Sequence, residues 1–145
     1  MFINYNKTYI SNTSKNKTWY LIDAKAKTLG RISTEIAFLL QGKNLITYTK
    51  HQRSNVNIII INSHFINVTG KKREQKLYKR HSGRPGGMKI ENFHSLNIRM
   101  PNKILEKSIR GMLPKNKISK RLLTQLKIYA DNNHPHTAQK PIDLT

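Results

Sequence analysis

Apolar positions along this chain recur with two periods, and their alternation predicts an α/β order of elements. Residues 19–22 (WYLI) form a short β-prone run that ends at Asp23. Thr28 follows as an N-cap. After it, Leu29, Ile32, Ile36, Leu39 and Leu40 recur at helical spacing, and Gly42 marks the stop. Residues 56–61 (VNIIII) are almost continuously β-branched, the pattern of a strand buried on both faces, which implies helices on both sides of its sheet. Residues 65–69 alternate weakly and read as either a strand or a short helix. Residues 75–81 read as a strand paired with them, its charges outward. A weak helix is expected over 91–98. Pro101 suits the first position of the next helix, in which Ile104, Leu105, Ile109 and Met112 oppose Lys103, Lys107 and Arg110. Ile118, Leu122, Leu123 and Leu126 then form a second stripe, opposite Lys117, Lys120, Arg121 and Lys127. Residues 128–130 are expected to close the sheet as an edge strand.

The pattern therefore divides the chain into a mobile basic arm, 1–17, one α/β domain, 18–130, and an irregular tail, 131–145. In the tail, Pro135 and Pro141 oppose regular structure. The full length of 145 residues suffices for one domain with one core.

Charge changes the picture from fold to partner. Lys and Arg number 27 against 7 Asp and Glu, a formal net charge of +20. Self-repulsion of that size opposes compaction and calls for an anionic partner, most often nucleic acid. The densest stretch is 70–87 (GKKREQKLYKRHSGRPGG). Lys71, Lys72, Arg73, Lys76, Lys79, Arg80 and Arg84 stand there against the single acid Glu74. Ser82, Gly83, Pro85, Gly86 and Gly87 follow as a loop of little bulk, suited to close approach of a phosphate backbone. Lys43, Lys50, His51 and Arg53, with Tyr48 among them, predict a loop that touches the same partner. Two successive helices with basic stripes extend that surface through Arg110, Lys117, Lys120, Arg121 and Lys127.

Other chemistry finds little support. With no cysteine, disulfides, thiolate catalysis and Cys-containing zinc sites are excluded. The strand–loop–helix opening carries neither G-x-G-x-x-G nor a P-loop, and its lone Gly30 is read as permitting close helix packing. The acids are scattered, without the paired acid–base arrangement of a nuclease, and Glu74 offsets local repulsion. His134 and His136 flank Pro135, which makes a shared tetrahedral metal site awkward; they read as surface groups that stack on or hydrogen-bond to RNA. The helical stripes are needed for the core, leaving no membrane-surface helix rich in exposed Trp, Phe and Leu. Residues 1–18 show no signal-peptide core and no transit-peptide character.

Read as a whole, the chain resembles the bacterial-type ribosomal protein L13 family of the large subunit, universal name uL13. The resemblance runs through Trp19-Tyr20-Leu21-Ile22-Asp23-Ala24, Thr28-Leu29-Gly30-Arg31 and Val68-Thr69-Gly70-Lys71-Lys72. It continues through Tyr78-Lys79-Arg80-His81-Ser82-Gly83, Pro85-Gly86-Gly87 and Lys107-Ser108-Ile109-Arg110-Gly111-Met112-Leu113-Pro114-Lys115. It ends with Leu126-Lys127-Ile128-Tyr129-Ala130 and His134-Pro135-His136-Thr137-Ala138-Gln139-Lys140-Pro141. The resemblance implies a three-layer α/β/α domain with a central, largely parallel sheet. It implies binding to large-subunit, 23S-type rRNA beside neighbouring ribosomal proteins, a role in early subunit assembly, and neither catalysis, metal nor cofactor. It adds His81 and Lys115 to the expected RNA-facing residues. Asp131 stands where the family usually has Gly, so a left-handed turn there would be costlier. Lys50-His51-Gln52-Arg53 is more basic than the family's segment. Heavy use of Asn, Ile and Lys suggests an A/T-rich genome, and with the resemblance it points to a plastid ribosome, the bacterial cytoplasm being the alternative.

Overall fold

The computed structural model describes residues 17–144; of the expected arm, 1–17, residues 1–16 lie outside them. A four-stranded parallel sheet carries the domain. Its strands are β1 (Thr18–Asp23), β2 (Val56–Ile61), β5 (Leu126–Ile128) and β6 (Ile142–Asp143), in the order β5-β2-β1-β6. β2 pairs with β1 over its whole length, Thr18 opposite Val56 through Asp23 opposite Ile61. All six β2 residues are buried, as a central strand flanked by parallel partners requires.

The two faces of β2 divide by parity. Ile58 and Ile60 join Ile22, Ala24 and Leu126 in one cluster. The same cluster takes in Leu29, Ile32 and Ile36 of α1 (Leu29–Gln41), Phe93 and Leu96 of α3 (Phe93–Arg99), Ile104, Leu105 and Ile109 of α4 (Pro101–Met112), and Leu122 of α5 (Lys117–Thr124). Each fully buried isoleucine there contributes about 1.5–3 kcal/mol. The α/β fold is thus as the pattern indicated, and the mainly parallel sheet is as the resemblance implied. The expectation of helices on both sides is met unevenly. β5 and β6 lie at opposite edges, so the connection between them crosses the sheet. It carries one 3-10 turn, Thr137–Gln139, and lays the His136 ring 5.3 Å from Trp19. Trp19 has the parity of Leu21, not that of the cluster residue Ile22. The tail is therefore not wholly irregular: its last residues form β6, and Leu144 N donates to Leu21 O at 2.9 Å.

Local stops and starts follow known chemistry, with exceptions. Gly42 ends α1 at φ 74°, its N–H donating to Leu39 O. Thr28 begins α1 without a side-chain cap. Instead residues around Asn67 run alongside as an isolated bridge, and Asn67 O accepts from Leu29 N at 2.9 Å. Asn116 caps α5 fully, accepting from Ser119 N and Oγ at 2.8 and 2.9 Å.

Three expectations are corrected, and the conformation at Asp131 is settled. The strand over 75–81 does not pair with 65–69. As β3 (Leu77–His81) it pairs antiparallel with β4 (Met88–Asn92), because the 82–87 turn returns the chain on itself while the backbone of residues 65–67 is already bonded to Ala26, Lys27 and Leu29. β4 takes Glu91 and Asn92 from the expected helix, which begins at Phe93. The sheet's edge strand starts at Leu126, two residues early, since Leu126 is the apolar residue that meets Ile58. Asp131 needs no left-handed turn: the non-glycine residues with positive φ among the described ones are Ala26, Asn62 and Lys140.

Candidate nucleic-acid interface

The β3–β4 hairpin stands apart from the central sheet as a two-stranded ribbon. Lys79, Arg80 and His81 are exposed along β3, and Arg80 faces Lys89 across the pair. Before the hairpin, Lys71, Lys72, Arg73 and Lys76 are exposed on and around the single turn α2 (Lys72–Gln75). Tyr78 fixes the ribbon to the body. It packs on the core cluster, with Lys76 Nζ 5.6 Å and Lys107 Nζ 5.0 Å from its ring centre. Burial raises its phenol pKa above the ordinary 10.0.

The turn of the hairpin holds Ser82, Gly83, Arg84, Gly86 and Gly87. Ser82 N donates to Gly87 O at 3.1 Å, and Gly87 N donates to Arg84 O at 3.0 Å. Gly83 and Gly86 have φ of 89° and 70°, and a Cβ on Gly87 would collide with Ser82 Oγ. Internal turn geometry therefore accounts for these glycines. His81 Nδ1 accepts from Gly83 N at 2.9 Å, which orients the ring.

Two hollows gather further cations. A cleft of about 510 Å³ is lined by Arg31, Lys72 and Lys76, with Gly30, Asn67, Ser108 and Met112. A groove of about 380 Å³ at the α4–α5 connection is lined by Arg110, Lys115, Lys117 and Lys120 around Leu113 and Pro114. Neither is lined by an acid. Gly30 does not serve close helix packing as expected: nothing lies within 4 Å of where its Cβ would be.

Elsewhere the expected residues spread. Lys43, Lys50, His51 and Arg53 are exposed on the loop between α1 and β2, beside a fully exposed Ile46 and a partly exposed Tyr48. Arg121 is exposed on α5, while Lys127 is half-buried on β5, opposite Ile59. His134 and His136 are not bare surface groups. His136 Nε2 is 2.9 Å from the Tyr129 hydroxyl, and both rings lie near Tyr129. Among the described residues, no three His, Asp or Glu gather as a metal site.

Arg31 and Lys107 were missed as site residues although their signals were present. Arg31 closes the Thr28-Leu29-Gly30-Arg31 motif, and Lys107 belongs to the basic stripe of α4. Lys89 carries no such signal. It reaches the surface only by pairing with β3.

The electrostatics of this surface are simple. Among the described residues the ion pairs are Arg99–Glu91 at 2.6 Å and Lys103–Glu106 at 3.1 Å. No cation of the hairpin, cleft or groove is in either. Fold and surface together define a small basic α/β protein with its positive charge left uncompensated on one ribbon and two hollows.

Comparison with known proteins agrees. The family model for Ribosomal protein L13 matches residues 17–135. The chain is 56% identical over 140 residues to the large ribosomal subunit protein uL13c of Gracilaria tenuistipitata var. liui, covering 97% of this chain and 98% of that one. It is 52% identical over 136 residues to uL13c of Pyropia yezoensis, with 94% and 96% covered. To uL13 of the Synechocystis strain PCC 6803 it is 53% identical over 140 residues, with 96% and 93% covered. The chain belongs to the ribosomal protein L13 family.

Proposed function

We propose that this protein is a structural constituent of the large ribosomal subunit. It binds 23S-type rRNA through the hairpin, the two hollows and the 43–53 loop, lies beside other large-subunit proteins, supports early assembly and catalyses no reaction. The observation that carries this is the set of exposed Lys and Arg side chains without acidic partners, in a chain of net charge +20. Such cations repel one another in the free protein and are stabilised by displacing counterions from phosphates. The names of the relatives agree, and the uL13c proteins of red algae together with cyanobacterial uL13 favour a plastid ribosome over the alternative, the bacterial cytoplasm. No helix among the described residues is long and apolar enough to cross a membrane.

Sedimentation with ultraviolet cross-linking tests this. The tagged protein is expected to travel with large subunits and to cross-link to their RNA through peptides from 71–87 and 110–121. Sedimentation as free protein only, or cross-links confined to protein, would refute the reading.

A further inference from the structure

Glycine within a helix costs stability relative to alanine, because it surrenders more backbone freedom on folding. Two reasons usually justify it: a positive φ, or a neighbour occupying the space of a Cβ. Gly30, in the first turn of α1, and Gly111, in the last turn of α4, meet neither condition. Neither has a positive φ, and a Cβ on either would have nothing within 4 Å.

The two glycines lie at the same end of the α1–α4 pair. Thr34 Oγ1 donates to Gly30 O at 3.0 Å and stands 3.5 Å from Met112 Sδ. Gly30 and Met112 line the cleft that holds Arg31, Lys72 and Lys76. Arg110, on the other side of Gly111 in sequence, lines the groove that holds Lys115, Lys117 and Lys120. Bare helix backbone therefore lies between two hollows lined by cations and by no acid.

We infer that one RNA sugar–phosphate backbone runs from the cleft to the groove across this helix end, and that Gly30 and Gly111 are bare so that it can lie against the helices. The inference rests on the rRNA-binding reading and specifies its geometry. A ribose-phosphate chain is bulky along its whole length, so each side chain along the track would lift it from the cations on either side. An extended acidic peptide carries its charge on flexible side chains and needs no such clearance, so RNA is the better fit.

The test compares Gly30→Ala, Gly111→Ala and the double variant with wild type, using thermal melts and titration of a large-subunit rRNA transcript at several salt concentrations. The alanine variants are expected to melt at or above the wild-type temperature. Each is expected to bind the transcript about tenfold more weakly or worse, the scale of one lost contact to a charged group. Hydroxyl-radical footprints are expected to lose protection over one contiguous RNA segment. Wild-type affinity and footprint in all three variants would overturn the track while leaving rRNA binding intact. A lowered melting temperature in both single variants would give the glycines a structural purpose and overturn it too. A wild-type protein with no salt-dependent RNA binding would overturn the functional reading, and the track with it. Equal loss of polyglutamate binding in the glycine variants would assign the track to an acidic peptide instead.

Discussion

Replacing Gly87 by alanine puts a Cβ against Ser82 Oγ, 2.9 Å from the Arg84 carbonyl oxygen and 3.2 Å from Ser82 Cβ. The Ser82 hydroxyl can rotate away, but the carbonyl belongs to the turn itself. Arg84 O accepts from Gly87 N, and Gly87 O accepts from Ser82 N, so relieving the clash moves both bonds that close the hairpin. At about 0.5–1.5 kcal/mol net for each bond, the loss is roughly 1–3 kcal/mol. Gly86 differs. Its surroundings are open but its φ is 70°, so alanine there costs about 1–2 kcal/mol of left-handed strain and asparagine less. Because an exposed ribbon can open without global unfolding, amide hydrogen exchange at Ser82 and Gly87 is the direct measurement. A loss of one or two kcal/mol should speed exchange by about 5–30-fold. The expected order of effect is Gly87→Ala, then Gly86→Ala, then Gly86→Asn. Wild-type exchange in both alanine variants would refute the turn-geometry argument. If their rRNA affinity also fell, the glycines would be serving the partner, as a clearance like that inferred at Gly30.

Three further expectations follow from the same structure. Ile59 and Ile60 are fully buried on opposite faces of β2, so Asp at either buries an unpaired charge and should abolish the folded signal in circular dichroism; two wild-type melts would refute a strand buried on both sides. Lys79→Ala and Arg80→Ala, on the exposed strand β3, should each weaken rRNA binding for all sequences alike and reduce the salt slope by about one unit, and an unchanged slope would remove the ribbon from the interface. Tyr129→Phe removes the hydrogen bond to His136, worth about 0.5–1.5 kcal/mol, and limited proteolysis should then cut faster within 131–141 while the core melts almost unchanged; equal cutting rates would show that the bond does not secure the connection.

How much of this was legible beforehand depends on the range of the interaction involved. The strand–helix–strand order of β1, α1 and β2 could be read directly, because the 3.6-residue stripe from Leu29 to Leu40 and the run Val56–Ile61 are local patterns with local causes. The basic character of the surface was equally legible, since net charge is a sum over residues and needs no geometry. The family could be recognised because its motifs are contiguous segments.

What depended on distant partners could not be read in this way. Whether residues 75–81 paired backwards or forwards was a choice between two neighbours, and the closure of the 82–87 turn settled it. The two-residue strand Ile142–Asp143 has no signal of its own and exists because β1 offers an open edge. His134 and His136 looked like surface groups because no sequence pattern shows that their connection folds back on Tyr129, just past β5, and brings His136 to Trp19 of β1. The purpose of each glycine was the least legible of all. Gly30, Gly86 and Gly87 are one letter in the sequence, but only the folded chain shows which has a positive φ, which faces a colliding atom and which faces open space. Composition and period follow from the chain because they are properties of neighbours along it; clearance is a property of neighbours in space, and tertiary structure alone decides it.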